Sequence, residues 1–167
     1  MIERTLILLK PDAVQRGLMG KIITRFEDAG LKIIGMKMVQ ADQAFAERHY
    51  TEDIAKRRGK KVRDVLLDYI QEGPIVALAV EGVHAIEIVR KLVGPTMPRE
   101  AFPGTIRGDY CHHGKEYCDV KNMPVKNLIH ASGDKNDAER ELPIWFSEKE
   151  LHPFTSVHDL HILGKKD

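Results

Sequence analysis

His130 lies in the stretch Asn127-Leu128-Ile129-His130-Ala131-Ser132, a short way after the arginine-bearing segment Pro103-Gly104-Thr105-Ile106-Arg107-Gly108-Asp109. An imidazole at the end of a short apolar run, with hydroxyl, amide and guanidinium groups near it in sequence, has the ingredients of a phosphate-accepting nucleophile. Phosphoryl transfer is therefore the first hypothesis. The chain has eight histidines, and most serve on general grounds as surface or packing residues. His130 is set apart by its company. A nucleotide polyphosphate needs several cations and donors, because its charge must be neutralised both at rest and during transfer. Lys10, Arg90 and Arg107 each fall where an element ends, and Thr96 and Asn127 add neutral donors. Neither a G-x-x-x-x-G-K-[ST] phosphate loop nor a G-x-G-x-x-G fingerprint occurs, so phosphate recognition rests on side chains.

Rival readings exist for each of these residues. Taken singly, Lys10 and Arg107 read as ordinary surface ion-pair partners; the assembled pattern reverses that. Cys111-His112-His113 and Cys118 invite a zinc site, but the spacing is not a regular C-x-x-C pair and no second ligand cluster follows, so loop thiols are the simpler account. Asp109 and Asp134 read as loop and helix-start residues rather than a hydrolytic carboxylate pair. No metal ligand is assigned to the chain.

Composition bounds the rest. A chain of 167 residues that is 43% hydrophobic can bury a substantial core, and that size implies one domain over 1–167. With 26 basic and 25 acidic residues the net charge is +1, so nothing global calls for a specific nucleic acid or an anionic membrane. No apolar stretch approaches the ~20 residues needed to span a bilayer. Two cysteines and an opening stretch that reads as a strand, not a signal peptide, make a reducing, cytoplasmic setting the default expectation.

The elements that must position these residues alternate between strand and helix. Thr5 to Leu9 is an apolar strand ended by Pro11, which leaves Lys10 at a strand tip. Leu18, Ile22, Ile23 and Phe26 share a helical face that stops at Gly30. A strand follows over Lys32 to Val39. Asp42 is a candidate N-cap for a helix carrying Phe45 and His49, and Val62, Val65, Leu66, Tyr69 and Ile70 form the stripe of a second helix stopping at Gly73. Those two read as a hairpin-like insertion. Pro74 to Val80 is a buried strand and Ala85 to Val93 a helix ended by Gly94-Pro95. Pro95 to Lys126 is too long and too rich in Gly and Pro for a plain connection, and reads as a functional or oligomer-forming loop. Leu128-Ile129 is a short strand, and Asp137 to Trp145 a helix disturbed by Pro143. The order β-α-β-β-α-β predicts an α+β, ferredoxin-like sandwich: a four-stranded antiparallel sheet with helices packed on it.

At this level of detail the chain resembles the nucleoside diphosphate kinase family over essentially its full length. The matching segments are Glu3-Arg4-Thr5, Lys10 to Gly17, His49-Tyr50, Gly73-Pro74, Glu81-Gly82, Arg90-Lys91-Leu92, Pro103 to Asp109, Asn127 to Ser132, Ala138 to Glu141 and Trp145-Phe146. The resemblance implies ping-pong transfer of the γ-phosphate of a nucleoside triphosphate to a nucleoside diphosphate through a phosphohistidine at His130. It implies phosphate or ribose contacts for Lys10, Arg90, Thr96, Arg107 and Asn127, and supporting roles for Tyr50, Ser132 and Glu141. Glu141 is the expected acceptor from the ring nitrogen that is not phosphorylated, a partner that fixes the tautomer. Mg²⁺ is implied on the nucleotide phosphates, with few or no protein ligands. A homo-oligomer is implied too, a hexamer in preference to a tetramer, since Pro95 to Gly104 resembles the segment that meets at a three-fold axis.

The chain also departs from the family's pattern. Where the family stacks the nucleobase on an aromatic ring, counting back from Gly73-Pro74 reaches Val62. Thr51 to Lys61 is longer than usual and carries Lys56, Arg57, Arg58, Lys60 and Lys61, read as a solvated basic face. Tyr110 to Lys126 is a further insertion, expected to be an exposed flap over the nucleotide cleft or a neighbouring subunit. An apolar base contact predicts broad base tolerance. A non-catalytic nucleotide-binding module and a metal-binding loop protein are the competing functions, and only the kinase acquires an acid-labile label from ATP.

Overall fold

Both faces of the first strand are apolar because both are covered. β1 (Ile2–Leu9) is buried continuously from Thr5 to Leu9. Ile7 and Leu9 join one hydrophobic cluster while Leu6 and Leu8 join another, as the two-residue period of a strand requires. The computed structural model describes residues 2–164. Its remaining strands are β2 (Lys32–Val39), β3 (Ile75–Val83) and β4 (Ile129–Ala131). All pair antiparallel in the order β2-β3-β1-β4. The fold is α+β and ferredoxin-like.

Ten α-helices among the described residues surround that sheet: between the strands run α1 (Pro11–Gln15), α2 (Met19–Asp28), α3 (Gln43–His49), α4 (Glu52–Arg58), α5 (Lys60–Gln71), α6 (Ala85–Val93), α7 (Ile106–Tyr110) and α8 (Lys115–Val120), followed by α9 (Lys135–Trp145) and α10 (Val157–Ile162). Ile22 and Phe26 of α2 and Ala85, Val89 and Val93 of α6 cover the Ile7/Leu9 face. Ala46 of α3, Leu67 and Ile70 of α5 and Trp145 of α9 cover the Leu6/Leu8 face. No helix among the described residues is long and apolar enough to cross a membrane.

Several expectations need correction. The hairpin-like insertion holds three helices, not two: the basic run is helical as α4, and Gly59 at φ +94° separates it from α5. β3 runs on to Val83. α9 starts at Lys135, two residues early, because Asp134 caps it by accepting the Asp137 N–H at 2.9 Å. The Pro95–Lys126 segment contains α7 and α8; on α8 Cys118 is buried, while Lys115, Glu116, Tyr117, Asp119 and Val120 around it are exposed. The last strand is Ile129–Ala131, not Leu128-Ile129. Leu128 has φ +65°, a left-handed conformation incompatible with an extended strand.

Candidate active site

The strand that carries His130 is three residues long and enters through a strained turn. Ile129 N–H donates to Asn127 O at 2.7 Å, closing a three-residue turn around Leu128, whose side chain is fully buried at φ +65°. A branched residue held there costs about 1–2 kcal/mol and persists only where its surroundings over-determine it. They do. Leu128 O accepts the Lys10 N–H at 2.8 Å, and Leu128 N–H donates to Asp12 Oδ2 at 3.1 Å. In register, His130 faces Leu8 of β1, with Ile129 and Ala131 turned into the core on the α2/α6 side. His130 therefore points to the other side, under α3 and α9.

There it meets Glu141, one turn and a half into α9. His130 Nε2 and Glu141 Oε2 are 2.8 Å apart, Ser132 Oγ–H donates to the same oxygen at 2.8 Å, and an Arg140 Nη2–H donates to Oε1 at 3.0 Å. Burial pushes the Glu141 carboxyl up, but His130, by charge and hydrogen bond, with His49 and Ser132, outweighs it and holds the group down at about 2. A carboxylate acceptor places the proton of a neutral His130 on Nε2, leaving the Nδ1 lone pair free. The His130 side chain is 20% exposed, against 5% for Glu141, so the nucleophile is the accessible member of the pair.

His49 of α3 closes the other side. Its ring lies 4.6 Å from that of His130 at 85°, edge to face. Trp145 Nε1–H donates to His49 Nδ1 at 3.3 Å. An indole can only donate, so Nδ1 is the acceptor and the His49 proton sits on Nε2. Burial first, and then the neighbouring His130, hold its pKa well below the ordinary histidine range. His49 is a neutral wall.

The cations gather at the far end of β1 and β4. Lys10, 6% exposed, donates from Nζ to Asn127 Oδ1 at 2.8 Å and stands 4.7 Å over the Tyr69 ring. Asn127 in turn donates from Nδ2 to the Thr96 carbonyl at 2.9 Å. Burial, then the Arg107 charge, pushes Lys10 down to about 7 despite the opposing effect of Asp12. Arg107 follows Thr105, whose hydroxyl accepts the Gly108 N–H at 3.0 Å to cap α7. Only glycine fits at 108, where a Cβ would collide with the Phe102 carbonyl. The guanidinium donates to the carbonyls of Gly94, Pro95, Asn127 and Ile129 at 2.6–3.2 Å, and burial lowers its pKa to about 10. Arg107 thus clamps both sides of the turn as well as lending charge.

The structure accordingly brings together His130, Ser132 and Glu141 at one end and Lys10, Asn127, Arg107 and the Thr96 backbone at the other. Tyr50 is buried beside His49 with ring centroids 4.6 Å apart, and burial, followed by Glu141, pushes its phenol up. Arg90, exposed on α6, lies near enough to Arg107 to depress it. Val62 is 40% exposed on α5 and belongs to neither hydrophobic cluster. Sequence reading missed the use made of Asp12, Tyr69, Arg140 and the His49–Trp145 pair; His49 and Trp145 were visible only as helix residues and as family matches.

Among the described residues one group has metal-ligand atoms close together, His49, His130 and Glu141, all within 4.8 Å. It does not fit a hard divalent cation, which takes oxygen ligands: two of its members are imidazoles, and Glu141 is already spent on three donors. Cys111 and Cys118 are both free thiols.

Residues 3–151 match the family model described as nucleoside diphosphate kinase. A nucleoside diphosphate kinase of Pyrococcus furiosus is 47% identical over 165 residues, covering 99% of this chain and 96% of that protein. The chain belongs to the nucleoside diphosphate kinase family. It is a phosphotransferase with that family's activity. A nucleoside-diphosphate kinase structure from Borrelia burgdorferi, a transition-state mimic with bound vanadate and ADP, superposes with a TM-score of 0.95 at 41% identity, covering 97% of each chain. The halophilic enzyme of Halobacterium salinarum, in complex with CDP, gives 0.83 at 38% identity, covering 97% of this chain and 99% of that one. The family match ends at Leu151; α10 lies beyond it, tied back by the Lys32–Asp159 ion pair at 3.3 Å.

Proposed function

We propose that His130 Nδ1 is the nucleophile of a ping-pong reaction. The observation that carries this is the Glu141 contact on Nε2, which leaves Nδ1 as the ring's free lone pair. Nδ1 attacks the γ-phosphorus of a nucleoside triphosphate, the bond from that phosphorus to the β,γ-bridging oxygen breaks, and the diphosphate leaves with the electron pair. The imidazole keeps its Nε2 proton, and the positive charge it gains is met by the Glu141 carboxylate. A second nucleoside diphosphate then attacks the phosphorus through a terminal β-oxygen and frees Nδ1.

In this reading Lys10 and Arg107 meet the phosphate charge, Asn127 aims Lys10, and Arg90 and Thr96 lie at the rim of the same cleft, while Ser132 and Tyr50 fix the surroundings of Glu141 and His49. Mg²⁺ would bind mainly through the nucleotide's phosphates and would supply neutralising charge there; the nitrogen-rich His49–His130–Glu141 group offers it no cage. Val62 offers the base an apolar edge, which gives little ground for rejecting one base over another.

A homo-oligomer, a hexamer in preference to a tetramer, is inferred from the resemblance of Pro95 to Gly104 to a three-fold contact. Support comes from Phe102, 77% exposed within that segment, and from Met36 and Met38, 62% and 57% exposed on the edge strand β2. The free thiols support a reducing, cytoplasmic setting.

Incubation with γ-³²P-ATP tests the reading. The wild type acquires an acid-labile label on His130; His130→Ala acquires none and turns over no nucleotide, yet keeps its fold and most of its nucleotide affinity, since Lys10 and Arg107 are untouched. Substantial turnover by pure His130→Ala sinks the assignment.

A further inference from the structure

Asp12 is a buried carboxylate, 7% exposed, that the reaction as described does not use. Its position in the first turn of α1 would ordinarily be explained as a favourable charge at a helix N-terminus. That explanation fails here. α1 has only five residues, and both Asp12 oxygens are committed elsewhere: Oδ1 accepts the Tyr69 hydroxyl of α5 at 2.7 Å, and Oδ2 accepts the Leu128 N–H at 3.1 Å. The second bond is the informative one. Leu128 is the left-handed centre of the 127–129 turn, and what leaves that turn is the chemistry. On one side Asn127 holds Lys10 Nζ and the Thr96 carbonyl; on the other, His130 follows two residues later.

We propose that Asp12 is a positioning residue for phosphoryl transfer, its carboxylate tying the strained 127–129 turn to α1 and α5 so that His130 and the Lys10–Asn127 pair keep their mutual aim. Each link has a reason. The turn's main chain is bonded from three other elements: by Lys10 N–H at the end of β1, by Arg107 of α7 to the Asn127 and Ile129 carbonyls at 3.2 and 2.6 Å, and by Asp12 from α1. Of these only Asp12 accepts, and it alone satisfies the Leu128 N–H. Without it a buried donor is stranded, and relaxing Leu128 toward φ below zero is the simplest way for it to find another partner. Such relaxation swings Asn127 and His130 in opposite senses about the turn. Tyr69 holds the carboxylate from behind, and its ring is the one beneath Lys10. The brace therefore joins the cation end of the cleft to the nucleophile end.

The proposal rests on His130 as nucleophile, and its test keeps the two apart. Single-turnover phosphorylation by Mg-ATP is measured at pH 6, where Lys10 stays charged, together with KM and the ¹H–¹⁵N resonance of the Leu128 amide, for wild type, Asp12→Ala, Asp12→Asn and Tyr69→Phe. Asp12→Ala is expected to slow phosphorylation about 10 to 100-fold, with KM moved less than about threefold and the Leu128 amide shifted upfield. Asp12→Asn recovers most of the rate, because its amide oxygen accepts from Leu128 and its amide nitrogen donates to the Tyr69 oxygen. A packing role alone would not produce that split or that rescue. Where Asp12→Ala does not fold, Tyr69→Phe decides: a slower reaction with a shifted Leu128 amide supports the brace, and an unchanged rate overturns it. A folded Asp12→Ala within twofold of wild type, or Asp12→Asn as slow as alanine, also overturns it. A wild type labelled elsewhere than on His130 overturns the nucleophile instead.

Discussion

Lys10 holds a cation in a place that discourages one, and nucleotide binding should reveal it as proton uptake. Its ammonium is 6% exposed, with Arg107 and Lys126 adding repulsion and Asp12 partly offsetting it, so the free enzyme releases the proton at about pH 7 in place of 10.5. A bound polyphosphate supplies the missing countercharge and returns the group toward its ordinary value. At pH 8 the free enzyme carries about 0.1 of a proton on Lys10, and saturation takes up about 0.9; at pH 6 the uptake shrinks to about 0.1. Apparent affinity for Mg-ADP should weaken about tenfold per unit above pH 7. The stability of the free enzyme moves the opposite way. Because the folded pKa lies below the unfolded one, the folded state binds fewer protons between pH 7 and 10.5, and stability rises with pH across that window, by up to about 5 kcal/mol. Titration calorimetry in buffers of different ionisation enthalpy, at pH 6 and 8, reads the uptake directly. Uptake below about 0.3 at pH 8, or full uptake persisting in Lys10→Met, would refute the reasoning.

Three further outcomes follow from the same geometry. Glu141→Gln replaces a charged acceptor of three donors with an amide that accepts on one atom only, and should slow phosphorylation about 10 to 100-fold in a rapid-quench assay; an unchanged rate removes Glu141 from the site. Its folded pKa of about 2 lies below the ordinary carboxylate value of 4.5, so its contribution is complete above pH 4.5 and lost as pH falls toward 2. Urea midpoints should drop by the equivalent of about 3 kcal/mol across that interval in the wild type and less in Glu141→Gln. Cys111→Ser with Cys118→Ser, and His112→Ala with His113→Ala, should each phosphorylate at near wild-type rates, while burial of Cys118 makes the first pair melt about 2–4 °C lower; lost activity in either pair, reversed by zinc only in the wild type, would revive a metal site in the insertion.

What the sequence disclosed, and what it withheld, has a common physical basis. The long periodic segments were legible: α6 occupies Ala85–Val93 as its stripe implied, and the apolar run Thr5 to Leu9 read as the strand that β1 contains. Helices of five to seven residues, such as α1, α4 and α8, complete too few turns to show a period. β4 was displaced by one residue because nothing about a leucine announces φ +65°; tertiary hydrogen bonds impose it. In the cleft, Lys10, Arg107, Asn127 and His130 could be picked out by type and context, and Ser132 and Glu141 through the family resemblance. The role of Asp12 could not, since its two partners are distant in the chain. The tautomer of His49 was equally hidden, being set by an indole roughly a hundred residues away.

The strand order carries a consequence for how the protein is made. β1 is synthesised first yet lies inside the sheet, and neither neighbour exists until later: β3 begins roughly 66 residues downstream and β4 roughly 120. At about 5–20 residues per second the apolar stretch from Thr5 to Leu9 waits roughly 3 to 13 s for its first partner and longer for its second, with both backbone edges open on a ribosome-bound chain. Unpaired strands of that composition are the ones that associate wrongly with other nascent chains. The strand that completes the sheet is also the one that bears His130, so the growing polypeptide acquires its nucleophile only when the exposed edge of β1 is finally covered.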